Sequence, residues 1–127
     1  MKYNLFIGRW SPFHLGHKTI IDSFLLNGKP VCIAIRDSEE KYPLWLRYRM
    51  ISVVYQDEIL TGMVKIITIP DIEMVAIGRG VGYSLVEVPE DVKVISGTKI
   101  RAGASMEVHP EVKKIIEKFE KFENNKI

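Results

Sequence analysis

One cysteine in 127 residues, Cys32, leaves no second thiol for an internal disulfide, so cross-linking is not what holds this chain together. Its place in the apolar run VCIAI points to a buried structural thiol, and the lack of a disulfide framework suits a reducing compartment. No apolar run approaches the roughly 18 residues that a membrane helix needs, and the apolar stretch after Lys2 is too short for the core of a signal peptide. The expectation is a cytoplasmic protein that does not enter a membrane. Net charge is scarce as well. Eighteen basic residues against sixteen acidic ones leave +2 at pH 7, too little to indicate a nucleic-acid partner, although a local cluster would still serve a small anion. Linkers, repeats and low-complexity segments are missing too, which leaves one domain over residues 1–127.

What is present is an ordinary globular composition, 46% apolar and 27% charged, in a chain long enough to bury a core. YNLFIG (3–8) and VCIAI (31–35) are short continuous apolar runs of the kind that forms strands covered on both faces. Between them Leu15, Ile20, Ile21, Phe24 and Leu25 recur at helical spacing, and NGKP (27–30) supplies a glycine stop with a proline beyond it. Strand, helix and strand in that order make a βαβ unit. A second helix is predicted over 44–59, with Leu46, Met50, Val53 and Val54 on one face. Strands follow at 64–69 (VKIITI), 73–78 (EMVAIG) and 92–95 (VKVI). From Pro110 onward Val112, Ile115, Ile116, Phe119 and Phe122 form an apolar stripe, with proline suited to the first helical position. The pattern predicts an α/β domain with a mainly parallel, five-stranded sheet flanked by helices and a C-terminal amphipathic helix.

In such sheets ligands collect outside the carboxyl ends of the strands. GRWSPFHLGHKTI (8–20) occupies that place after the first strand. The first turn of the helix that follows presents backbone N–H groups and positive peptide dipoles to an anion, and Gly16 leaves room for a phosphate to approach. His14 and His17 then both face the same anion, with Lys18 adding charge. The alternative is that the histidines are ordinary half-exposed residues, one of them capping the helix. A metal site is disfavoured, because two histidines without a third ligand leave coordination incomplete. His109, just before Pro110, reads as structural.

The second signal is ISGTKIR (95–101) after the last predicted strand. Ser96 and Thr98 are capping residues and hydroxyl donors to phosphate, Gly97 keeps the turn open, and Lys99 and Arg101 bring the charge a triphosphate needs. Alone, this stretch reads equally well as a capped helix with exposed basic residues. GRGVGY (78–83) lacks the spacing of a dinucleotide fingerprint and reads as a loop, with Arg79 near the nucleotide.

GRWSPFHLGH together with ISGTKIR resembles the HxGH-type nucleotidyltransferase superfamily over essentially the whole chain. The form of the first motif is more similar to the adenylyltransferases of the nicotinamide-nucleotide branch than to the cytidylyltransferases. IPDIE (69–73) also resembles a segment of that branch. Trp10 departs from the pattern where phenylalanine is expected, and KYPLW (41–45) matches the branch only roughly. The resemblance implies a Rossmann-like fold and transfer of AMP from ATP to a small phosphomonoester, with nicotinamide mononucleotide one candidate, and release of pyrophosphate. It implies that Gly8, Arg9, Trp10, Pro12, Phe13, Gly16, Arg79, Ser96, Gly97, Thr98 and Lys99 bind the nucleotide. His14, His17, Lys18 and Arg101 carry the catalysis.

In-line substitution at phosphorus asks the protein to place the reactants and stabilise spreading charge, without a covalent intermediate. His14 and His17 thus donate to phosphate oxygens in the transition state, while Lys18, Ser96, Thr98 and Arg101 hold the β and γ phosphates. Mg²⁺ arrives with the triphosphate. By the same resemblance Asp37, Lys41, Trp45 and Arg49 line an acceptor pocket, together with Arg47. Each reads equally as solvated surface, and Trp45, set between Leu44 and Leu46, as a packed residue. Asp71 reads as a turn residue. Two further readings stand beside the adenylyltransferase: a cytidylyltransferase using CTP, and a nucleotide-binding sensor without catalysis. Aminoacyl-tRNA synthesis is disfavoured by the short chain and the lack of a basic RNA face. A homodimer is suggested by the resemblance alone.

Overall fold

A computed structural model of the chain describes residues 1–78, 80, 82, 85 and 107–125. Among the described residues three parallel strands form the sheet, β1 (Asn4–Gly8), β2 (Val31–Asp37) and β3 (Val64–Pro70), in the order β1-β2-β3. Helix α1 (Leu15–Leu26) joins β1 to β2, α2 (Leu44–Val54) and α3 (Gln56–Thr61) join β2 to β3, and α4 (Pro110–Asn124) closes the described chain. The α/β class, the parallel sheet and the C-terminal helix are therefore as the sequence predicts.

Two crossovers that step across the sheet in the same direction and share one hand lay their helices on one face. The register agrees. Val31 pairs with Val64 and Ile33 with Ile66, and Val31, Ile33, Ile35 and Val64 of that face are all buried in one core. Ile21 of α1, Leu46, Met50 and Ile51 of α2, and Val108 and Val112 at the start of α4 pack onto them. On the opposite face Leu5 and Ile7 of β1 and Ile67 of β3 are exposed. Cys32 lies on this face and is only half-buried, so the buried thiol expected from its apolar neighbours is corrected: a strand alternates its side chains, and alternate positions of VCIAI meet different faces.

Other expectations are corrected as well. The run 73–78 is not a strand, and Met74, Val75 and Ile77 are exposed; an apolar run becomes a strand only where a neighbour takes its backbone groups, and among the described residues none does. The predicted fifth strand, 92–95, lies outside the described residues. The single helix expected over 44–59 breaks at Tyr55, whose backbone leaves helical geometry (φ −115, ψ 31). Its ring is buried beside Phe13 and its hydroxyl donates to Asp22 Oδ1 at 2.9 Å. The tyrosine is held by α1, and the chain turns around it. In α2 Leu46 and Met50 of the predicted stripe are buried, joined by Arg47 and Ile51, and Val54 packs half-buried against the same core. Phe122 of α4 is exposed, one turn beyond the reach of the core.

The loop from β1 to α1 is built on Trp10. This residue takes a left-handed backbone (φ 52), uncommon for a bulky side chain, and donates its indole N–H to the Ala34 carbonyl at 2.9 Å. A Cβ on Gly8 would lie 2.9 and 3.0 Å from two indole carbons, so glycine is required where the ring crosses the strand. Gly8→Ala is expected to destabilise the fold by about 1–3 kcal/mol through overpacking, read as a lower urea midpoint. In a Trp10→Leu background the same substitution should cost measurably less, because the colliding ring is gone.

Candidate functional site

Helix α1 starts at the carboxyl end of β1, and its first four N–H groups need acceptors that the helix itself does not supply. His14 is the N-cap, with extended backbone (φ −119, ψ 173). Its Nδ1 accepts from Gly16 N at 3.1 Å and from His17 N at 3.4 Å. His14 N in turn donates to His17 Nδ1 at 3.3 Å, which completes a reciprocal capping box made of two imidazoles. The remaining group, Leu15 N, donates to the Glu107 carbonyl at 3.0 Å. All four donors are engaged. The backbone N–H groups expected to stand bare at this turn are thus already partnered, and Gly16 is buried inside it.

What the cap removes from the backbone it gives to the side chains. A ring nitrogen that accepts an N–H carries no proton, so the proton of a neutral imidazole sits on Nε2. The two rings are stacked, 3.6 Å between centroids and 18° from parallel. His17 is walled by Trp10 edge-on at 4.6 Å and by Phe13, nearly parallel to it, at 5.8 Å. Burial among these rings, with the neighbouring His14 adding to it, lowers the His17 pKa from its ordinary 6.5 to about 3. His17 is neutral at pH 7.

The other expected nucleotide residues have mixed placements. Trp10, Pro12 and Phe13 are buried beneath the histidines, where they pack the loop. Arg9 is half-exposed and lies 3.8 Å from Glu40. Lys18 turns its ammonium to Asp22, beside the Tyr55 hydroxyl. It lines a groove of about 380 Å³ between α1 and α3 with Asp22, Tyr55 and Glu58, to which neither histidine contributes. Arg79, Ser96, Gly97, Thr98, Lys99 and Arg101 lie outside the described residues.

Of the acceptor candidates, Asp37 ends β2 and is exposed, as is Arg49 on α2. Lys41 pairs with Glu120 of α4 at 3.3 Å. Trp45 is 64% exposed, so packing is not its role: the two flanking leucines occupy other faces of α2. Asp71, read as a turn residue, receives Arg36 Nη2 at 2.9 Å. His109 caps α4, its Nδ1 accepting from Glu111 N at 3.1 Å, in keeping with a structural histidine. Among the described residues no group of three or more His, Cys, Asp and Glu is placed to hold a metal ion, and no helix is long and apolar enough to cross a membrane.

The residue that sequence reading undervalued is Arg47, counted only as one of several acceptor-side residues. It is 1% exposed. Its guanidinium donates to the carbonyls of Tyr42, Arg9 and Arg36 at 2.8 Å each and of Ser38 at 3.0 Å. The signal that would have found it is its spacing three and four residues before Met50 and Ile51, on the buried face of α2.

Among known proteins, no family model matches this chain, and no curated protein and no solved structure is significantly similar to it.

The depressed His17 pKa sets a pH dependence. Between about 3 and 6.5 the unfolded chain binds a proton at His17 that the native state does not, so this residue adds stability as pH rises through that window and withdraws it as pH falls. His17→Gln keeps an acceptor for the His14 N–H, as glutamine does in ordinary capping boxes, but cannot titrate. Denaturant midpoints measured from pH 7 down to pH 4 should fall less steeply for His17→Gln than for the wild-type chain.

Proposed function

We propose that this protein is a nucleotidyltransferase that moves AMP from ATP to a small phosphomonoester and releases pyrophosphate. One observation carries the reading: at the carboxyl end of β1, two nearly parallel imidazoles at the start of α1 hold their Nδ1 atoms against the backbone. In that tautomer the ring proton of each histidine lies on Nε2. It supports the resemblance of GRWSPFHLGH to the HxGH enzymes, in which such a pair of donors meets the phosphates.

The chemistry follows from what the residues can do. An acceptor phosphate oxygen attacks the α-phosphorus, the bond from that phosphorus to the bridging oxygen breaks, and negative charge accumulates on the departing pyrophosphate. The protein's part is to hold the reactants in line and place donors where charge grows. His17, neutral and packed against Trp10 and Phe13, donates a fixed Nε2–H with little freedom to reorganise. His14 is set by its two bonds to the first turn. Lys18, paired with Asp22 in the groove between α1 and α3, would have to leave that partner to reach a phosphate, and Arg101 with Ser96, Thr98 and Lys99 completes the phosphate contacts in this reading. Arg9 extends from the same loop. Mg²⁺ enters as part of the ATP complex, and its charge helps neutralise the triphosphate. Asp37, Lys41, Trp45 and Arg49, around the β2–α2 connection, form the acceptor side.

Pyrophosphate release from ATP or CTP with Mg²⁺ and a panel of phosphomonoesters, nicotinamide mononucleotide among them, tests the proposal. Release with ATP and an acceptor is the expected result. Release with CTP alone would instead indicate a cytidylyltransferase, and tight ATP binding without release across the panel a sensor. In the active system His17→Ala is expected to lower turnover by about 10²- to 10³-fold, as loss of a single transition-state donor does. Its loss of a cap should cost only roughly 1 kcal/mol of stability. Near-normal turnover in this variant would remove His17 from the mechanism.

A further inference from the structure

A guanidinium withdrawn from water must place its donors on acceptors or forfeit their hydration. Arg47 does so with backbone alone, and the four carbonyls it gathers come from functionally separate stretches. Arg9 O belongs to the loop that runs from the end of β1 through Trp10 to His14. Arg36 O and Ser38 O flank the end of β2, and Tyr42 O lies just before α2, in the segment that carries Asp37 and Lys41. Nη1 bridges the two sides, donating to Arg9 O and Arg36 O at 2.8 Å each. Burial disfavours the charge, while Glu40 and Asp37 favour it. Glu40 is also the partner of the Arg9 side chain, so the two loops are tied by backbone and by charge at one place.

We infer that Arg47 is a positioning residue that fixes the histidine loop against the β2–α2 loop and so sets the separation of the two substrates. The inference rests on the nucleotidyl-transfer reading for its consequence in turnover, and on geometry alone for its consequence in the histidine loop. The planar fork matters because only a guanidinium reaches carbonyls in several directions within one plane. A lysine keeps the charge and loses the fork. With Arg9 released, the loop is no longer held at its start, and the bond between His14 N and His17 Nδ1 slackens.

The test compares the wild-type chain with Arg47→Lys and Arg47→Met in two measurements, after circular dichroism has established which variants fold. The first is long-range ¹H–¹⁵N spectroscopy of the His17 ring at pH 7.5. The wild-type chain should show a single neutral tautomer with the proton on Nε2. Both variants should show averaging toward the other tautomer, more in Arg47→Met than in Arg47→Lys. The second is pyrophosphate release, in which kcat should fall by on the order of 10²-fold in Arg47→Met, with partial recovery in Arg47→Lys and little change in KM for ATP. If Arg47→Met does not fold, Arg47→Lys decides. If the wild-type chain releases no pyrophosphate, the functional reading fails and the ring spectra decide the inference alone. Wild-type ring spectra in every variant that folds would overturn it, as would wild-type kcat in an active system.

Discussion

Parallel strands end by pointing their last carbonyls and their loops toward the same edge, and whatever is built there must satisfy those groups without filling the space a ligand needs. Here a single buried cation does it from below. Arg47 reaches up from the covered face of α2 and takes carbonyls from the ends of β1 and β2 at once. The rest of this edge depends on that contact. Trp10 lies one residue beyond Arg9, and its indole is bonded to Ala34 on the neighbouring strand. Phe13 and His17 pack in turn against Trp10. Arginine, loop, aromatic wall and imidazole thus form one contiguous set of contacts.

The second constraint is the start of α1. Four N–H groups need partners, and the chain meets the demand with histidine where serine, threonine or aspartate is the commoner choice. An oxygen cap would satisfy the same donors and stop there. An imidazole cap accepts through Nδ1 and carries its own proton on Nε2, so the same ring that satisfies the helix remains a hydrogen-bond donor. The backbone donors of this turn are already engaged, so in the proposed reading the phosphate contacts fall to the ring edges.

Much of this was legible in the sequence, for identifiable reasons. Continuous apolar runs marked β1, β2 and β3, because a strand buried on at least one side leaves little room for polar residues. The stop of α1 was readable because Asn27 and Gly28 end it, with Gly28 in the left-handed region (φ 72). His14 and His17 were readable as a pair from their spacing alone. The run 73–78 misled because apolar composition does not specify a partner strand, and the break at Tyr55 was hidden because Val53 and Val54 continue the helical pattern. Arg47 reads in the sequence as one acceptor-side residue among several because charge suggests surface, and only the four carbonyls around it explain a buried arginine. Trp45 is the converse, an aromatic that its neighbours in sequence suggested was covered and that α2 turns outward.

The environment of His17 also bears on how donation would scale with charge. In the resting site burial holds the ring neutral, with its pKa well below neutrality. An approaching polyanion opposes that effect, because a nearby negative charge favours the protonated ring. The attraction is smallest when the phosphate charge is spread and well solvated, and it grows as charge collects on the departing oxygens. A donor of this kind binds the ground state weakly and the transition state more strongly, which is the difference that accelerates a reaction. In the proposed reading the aromatic wall of Trp10 and Phe13 would then serve the chemistry as well as the packing, since burial among these rings helps set how far the imidazole lies from its charged form.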